Sequence, residues 1–102
     1  MAIKALRATA THLEAVAKLF DAYRGFYQQP SNLEQSRAFI AERMAGNESA
    51  IFLAQDENAE ALGFVQLYPT FSSIDAHRTW LLSDLFTAPA ARGCVVGRLL
   101  MN

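Results

Sequence analysis

An α/β domain with the element order β-α-α-β-β-β-α and a mostly antiparallel sheet is what this chain predicts. Three observations carry that expectation. Two Ser/Thr-x-x-Glu signals, Thr11 to Glu14 and Ser31 to Glu34, each open a stretch whose apolar residues recur at intervals of three and four. Three apolar runs rich in strand formers follow, separated by short polar segments that suit antiparallel connections. The last run passes through Pro89 into Arg92-Gly93, where another helix opens.

Each element has its own warrant. Ile3 to Ala8 places Ile3 and Ala5 on one side and Lys4 and Leu6 on the other, as a short strand does. Leu13, Val16, Ala17, Phe20 and Tyr23 form the apolar stripe of a helix running from the Thr11 capping box to about Gly25. Gly25 to Pro30 breaks the period and reads as a loop. Leu33, Arg37, Ile40 and Met44, with Phe39 flanking, give the next helix its buried face, and Gly46-Asn47 ends it as a left-handed cap. Ala50 to Gln55 and Leu62 to Tyr68 form a hairpin around Asp56-Glu57-Asn58. Pro69 to Ala76 is a connection, Arg78 to Thr87 the longest strand, and a helix begins near Val95.

The bulk numbers restrict what the chain does. Its 102 residues support one domain with one core. Nine basic and ten acidic residues give a net charge of −1 with no block of either sign, so neither a nucleic acid nor an anionic membrane is expected as a partner. Cys94 is the only cysteine, and His12 and His77 have no ligand-like spacing, so no disulfide framework and no metal site are expected. The first residues lack a signal-peptide pattern and no apolar run is long enough to span a bilayer, which makes the cytoplasm the expected location.

The chemistry concentrates between Trp80 and Leu100. A strand, a tight loop and a helix start aim backbone N–H groups and the positive end of a helix dipole into one space, which suits a phosphate. Gly93 and Gly97 let the backbone approach, and Arg92 adds a charged donor. Cys94 reads as a small apolar filler in that loop. Asp84 lies inside an apolar strand, where a carboxylate must face solvent or be paired. It either faces an acceptor site, holding an ammonium or acting as base through water, or bonds to nearby backbone. Tyr23, Tyr27 and Tyr68 can line an amine pocket by cation–π contact, with Tyr27 the favoured one. Glu34 is assigned to the capping box, and Trp80 to the core or the sheet surface.

From Asp84 to Leu100 the pattern resembles the acyl-CoA-binding segment of the GNAT superfamily of N-acetyltransferases. That family's loop reads Arg/Gln-x-x-Gly-x-Gly/Ala, and here it reads Arg92-Gly93-Cys94-Val95-Val96-Gly97. The order of the preceding elements agrees with the family's N-terminal half. Tyr68-Pro69, Asp84-Leu85-Phe86 and Leu99-Leu100 are also similar to members that acetylate small amines, the diamine and polyamine acetyltransferases among them.

The resemblance implies acetyl-CoA as cofactor and a small primary amine as substrate. Backbone groups of Leu85, Phe86 and Thr87 would pair with the pantetheine arm, and residues Arg92, Gly93, Cys94, Val95, Val96 and Gly97 would hold the pyrophosphate. Asp84 would be the catalytic residue and, with Tyr27, would bind the amine. Val95 stands where the family has its central glycine, which lowers cofactor affinity if close approach is that glycine's role. A complete family domain continues with a fifth strand and further elements, so residues 1–102 are expected to be a single truncated domain. Two functions follow: an acetyl-CoA-dependent N-acetyltransferase or a fragment of one, or a non-catalytic relic that self-associates. Either way a homo-oligomer formed through the exposed fourth strand and terminal helix is expected.

Overall fold

The computed structural model describes residues 3–91 and Leu100. Four strands, β1 (Ile3–Arg7), β2 (Ala50–Asp56), β3 (Ala61–Ser72) and β4 (His77–Thr87), form one sheet in the order β1-β2-β3-β4. Every neighbouring pair is antiparallel. Two helices, α1 (Leu13–Phe26) and α2 (Leu33–Ala45), lie between β1 and β2 in sequence. The expected order is therefore observed as far as β4, and the helix expected near Val95 lies outside the described residues.

The sheet buries both faces. Ile51, Leu53, Phe64 and Phe86 pack with Val16, Leu19 and Phe20 of α1 and Ile40 of α2. Their strand neighbours point the other way, because side chains alternate along a strand. Ala54 and Val65 accordingly form a second cluster with Ala91 and Leu100, joined by Leu62, the extra residue where the β2–β3 register shifts between Ala54 and Gln55. Burial on both faces explains why Leu62 to Gln66 is buried without interruption instead of alternating.

Both helix starts differ from the capping boxes expected. A 3-10 turn, Ala10–His12, precedes α1, and the Thr9 N–H donates to His12 Nδ1 at 2.9 Å. Glu14 does not turn back to its own helix start. It forms a two-point pair with Arg37 of α2, a charged partner that outcompetes a neutral N–H for a carboxylate. At α2 the cap is Asn32, whose Oδ1 accepts from the Gln35 N–H at 3.0 Å, so Glu34 has no capping-box role. The end of α2 is as expected: Asn47 takes φ 52°, and the Glu48 N–H bonds back to the Arg43 carbonyl at 2.9 Å.

Ser31, freed from capping, joins the two helices. Its hydroxyl donates to Asp21 Oδ2 at 2.6 Å, while the Asn32 N–H and the buried Ser36 hydroxyl donate to Asp21 Oδ1, each at 2.9 Å. The Ser31 hydroxyl and then the Asn32 N–H hold the Asp21 carboxyl below its ordinary value of 3.8. A depressed folded value means the ionised form stabilises the fold. That contribution is fully present above pH 3.8 and is lost as pH falls through the lower folded value. Asp21→Ala is expected to cost about 1–2 kcal/mol at neutral pH, discounted for partial exposure, and to flatten the acid limb of a urea-denaturation series.

The β3–β4 hairpin is longer than expected. Pro69 lies within β3, opposite Trp80, rather than in a connection. Pairing between β2 and β3 ends at Leu67, so beyond it β3 has a described neighbour on one side only, where a residue without an N–H is tolerated. Trp80 belongs to the sheet surface, 56% exposed, together with Phe71, Leu81 and Leu82.

Candidate active site

One irregularity in β4 builds the site. Val65 pairs with Leu85 and Gln66 with Asp84, but the next pair is Leu67 with Leu82. Ser83 is thus an extra residue, a bulge that re-aims the side chains on either side of it. Asp84 and Phe86 then share the helix-side face with Gln66 and Phe64.

Asp84 is held from the sheet. The Gln66 Nε2 donates to Asp84 Oδ2 at 2.8 Å, and the Ser49 Oγ–H donates to Gln66 Oε1 at 2.8 Å. Gln66 is fully buried and Ser49 nearly so, which makes these bonds obligatory for both. From α1, Tyr23 sets its ring 5.8 Å from Phe64 and 6.1 Å from Phe86. Burial, and then the hydrogen bond and charge of Asp84, push the Tyr23 hydroxyl up to about 12. Tyr23 therefore stays a neutral donor at any physiological pH. Burial also raises Tyr68, the Asp84 charge adds to the rise, and Arg43 opposes it.

A cleft of about 370 Å³ opens beside this group, lined by Tyr23, Phe26, Tyr27, Leu85, Phe86 and Thr87. Rings form a continuous series from the core to its mouth. Phe39 stacks on Phe20 at 5.3 Å, Phe20 meets Tyr23 at 6.2 Å, and Tyr23 meets Tyr27 edge-on at 5.3 Å. Phe20, Tyr23 and Tyr27 follow at three and four residues, so one face of α1 supplies this row. The cleft's other wall is the end of β4, the last strand of the sheet among the described residues.

The structure thus brings together Tyr27, Leu85, Phe86 and Thr87 of the residues expected from sequence, next to Asp84. Arg92, Gly93, Cys94, Val95, Val96 and Gly97 lie outside the described residues. Asp84 combines features of both readings left open by the sequence: it is paired, but with the Gln66 side chain rather than backbone, and it immediately precedes the β4 residues that line the cleft. Tyr23, ranked behind Tyr27, also lines the cleft, and Asp84 helps to raise the ionisation of its hydroxyl. Gln66 and Ser49 were missed; the signal was a lone amide inside the apolar run L-G-F-V-Q-L-Y. His77 sits at the start of β4, bonded through Nδ1 to the Arg78 carbonyl at 2.8 Å. It is seven residues from Asp84, about 23 Å along an extended strand, and so is not part of this site.

The effect of Asp84 on Tyr23 makes a measurable prediction. Asp84→Asn removes the negative charge beside Tyr23, so Tyr23 should ionise below about 12, closer to its ordinary 10. Alkaline titration of tyrosinate absorbance, with Tyr23→Phe to assign the transition, measures this. A transition unmoved by the substitution would mean that burial alone sets it.

Comparisons with known proteins bear on the family and the fold. Residues 14–102 match the model of the acetyltransferase (GNAT) family. An uncharacterized N-acetyltransferase of Bacillus subtilis, YhfO, is 44% identical over 96 residues, covering 94% of this chain and 64% of that protein. A probable acetyltransferase of Haemophilus influenzae is 42% identical over 90 residues, covering 88% and 62%. This chain therefore spans less than two thirds of the length of either relative. The crystal structure of a probable acetyltransferase superposes with TM-score 0.89 at 44% identity, covering 99% of this chain and 66% of that one. A predicted acetyltransferase from Clostridium acetobutylicum, whose crystal structure is with acetyl-CoA, shares the fold at TM-score 0.73 and 11% identity, covering 98% and 69%. With the family pattern running from α1 to the last residue, and the expected strand and tyrosine meeting at one cleft, this chain belongs to the GNAT superfamily of N-acetyltransferases.

Proposed function

We propose that the protein transfers an acetyl group from acetyl-CoA to a small primary amine, at the cleft between α1 and the end of β4. The observation that carries this reading is Asp84, fixed by Gln66 and adjacent in sequence to a cleft with Tyr23 and Tyr27 on one wall and Leu85 to Thr87 on the other. A pantetheine arm can pair through its amides with a strand in the manner of an added strand, and the family resemblance gives that role to the backbone of Leu85, Phe86 and Thr87. Residues 92–97 are proposed to hold the pyrophosphate, with Arg92 as the charged donor.

Acetyl-CoA supplies an acetyl group activated as a thioester. The protein's own residues do the rest. Tyr27, 61% exposed at the cleft mouth, and Tyr23 present aromatic surface to an incoming ammonium. Asp84 holds that ammonium and takes a proton from it, directly or through water, leaving a neutral amine as nucleophile. Thiol release is the test: acetyl-CoA with a panel of monoamines, diamines and polyamines should yield free thiol in proportion to amine. Release that is independent of any amine, or none with the whole panel, contradicts the proposal.

The other end of β4 supports a second part of the proposal, a homo-oligomer. Trp80, Leu81 and Leu82 are exposed on β4, the last strand of the sheet among the described residues, ahead of the Ser83 bulge that separates them from the proposed cofactor segment. Light scattering should show association that Trp80→Lys weakens; a monomer at every concentration contradicts it. No described helix is long and apolar enough to cross a membrane, and a cytoplasmic location belongs to the same proposal.

A further inference from the structure

We propose that Ser49 and Gln66 are positioning residues that let Asp84 gain and lose a proton without stranding a buried polar atom. The proposal rests on the reading of Asp84 as the group that takes a proton from the amine.

Three side chains from successive parts of the sheet form one directed line. Ser49 immediately precedes β2, Gln66 lies within β3 and Asp84 within β4, and the two links are each 2.8 Å. The bulge at Ser83, immediately before Asp84, leaves the acid in register with Gln66. An ionised carboxylate only accepts hydrogen bonds, so it fixes the sense of the line. The amide must turn its NH₂ to Asp84 and its oxygen to Ser49, and the serine hydroxyl must donate.

Protonation of Oδ2, the oxygen that Gln66 faces, reverses each requirement. When an ammonium N–H bond breaks and an Asp84 Oδ2–H bond forms, that oxygen becomes a donor. Rotation of the Gln66 amide by a half turn then presents Oε1 to Asp84 and NH₂ to Ser49, whose hydroxyl now accepts. Every member stays bonded in both states. When the proton leaves Asp84 for solvent water, the line returns to the arrangement observed. A leucine at residue 66 would fill the space without any polar group to satisfy, and it would leave the carboxylate without its partner in either state.

The serine is the sensitive member, because only a hydroxyl both donates and accepts at that position. Ser49→Ala leaves the Gln66 oxygen without its partner in one state and the NH₂ without it in the other, whereas Ser49→Thr keeps the hydroxyl. The first readout does not depend on turnover. In chain labelled with ¹⁵N-glutamine, with Gln66→Met to assign the signal, exchange of the Gln66 side-chain NH₂ protons should quicken by about tenfold in Ser49→Ala and return in Ser49→Thr. Unchanged exchange in Ser49→Ala overturns the proposal.

The second readout is kinetic. Ser49→Ala should lower kcat by about tenfold with KM for acetyl-CoA unchanged, Ser49→Thr should restore it, and in an Asp84→Asn background Ser49→Ala should have no further effect. Additive losses, or a Ser49→Ala enzyme as fast as the parent, overturn the proposal. If the parent chain releases no thiol with any amine, the functional reading fails by itself, and the proton role assigned here to Ser49 and Gln66 falls with it. Quickened NH₂ exchange would then show only that the hydrogen-bonded line exists.

Discussion

Asp84→Asn should reduce amine-dependent thiol release by about 100-fold or more while leaving KM for acetyl-CoA within about twofold. The substitution keeps the shape and leaves Gln66 a hydrogen-bond partner, since an amide oxygen still accepts from Nε2. What it removes is the negative charge and the ability to take a proton. The proposed cofactor contacts at Leu85, Phe86 and Thr87 would be backbone contacts, which this change does not touch. The loss should therefore appear in kcat and in KM for the amine. Raising the pH supplies more neutral amine and should recover part of the loss. A loss below about tenfold would mean that the amine reaches the thioester already neutral and that Asp84 serves only to hold it.

Phe64→Ala should destabilise the domain by about 3–5 kcal/mol, most of the margin that a small domain has. Phe64 is fully buried in the middle of the sheet, with Phe20 at 6.3 Å and Tyr23 at 5.8 Å, both edge-on. Strands flank it on either side: Leu53 lies opposite on β2 and Phe86 opposite on β4. Truncation leaves a cavity that the sheet backbone is poorly able to close. In a domain of this size the melting temperature should fall by more than about 12 °C, whereas Phe64→Leu should cost about 1.5 kcal/mol or less. Calorimetry decides between them. Because Tyr23 packs edge-on against Phe64, any Phe64→Ala protein that still folds should also ionise Tyr23 at a lower pH, as part of its burial is removed.

Elements whose signal is local were legible in the sequence. The α1 stripe, the Asp56-Glu57-Asn58 turn and the Asn47 helix end each depend on residues within a few positions of one another, and all are found. The Asp56 carboxylate accepts from the Asn58 and Glu60 N–H groups at 2.8 and 3.0 Å, as a turn-forming aspartate does. The helix starts were misplaced because their competitors are distant: Arg37 claims Glu14 from 23 residues away, and Asp21 claims Ser31 from ten. The length of β3 was misread because Pro69 ends most strands, and only the early end of β2 makes it tolerable here.

The site divides in the same way. Asp84, Tyr27 and the Leu85 to Thr87 segment stood out by residue type and by resemblance. Gln66 did not, because a lone amide in an apolar run acquires meaning only when register sets it opposite an acid. The bulge that aligns them is a property of the β3–β4 pairing and leaves no mark in either strand alone. Tyr23 and Tyr27 were indistinguishable by type; one turn of helix separates the ring whose hydroxyl Asp84 affects from the ring at the mouth.

The central claim is that acetyl-CoA and the amine meet at the end of β4 beside Asp84. Titrating acetyl-CoA into ¹⁵N-labelled chain tests it most directly. The account predicts saturable shifts of the Leu85, Phe86 and Thr87 backbone amides, accompanied by the Tyr23 and Tyr27 amides across the cleft. No shift at millimolar acetyl-CoA would contradict it. So would shifts confined to the separate cavity of about 270 Å³ lined by Thr9, Met44 and Asn47.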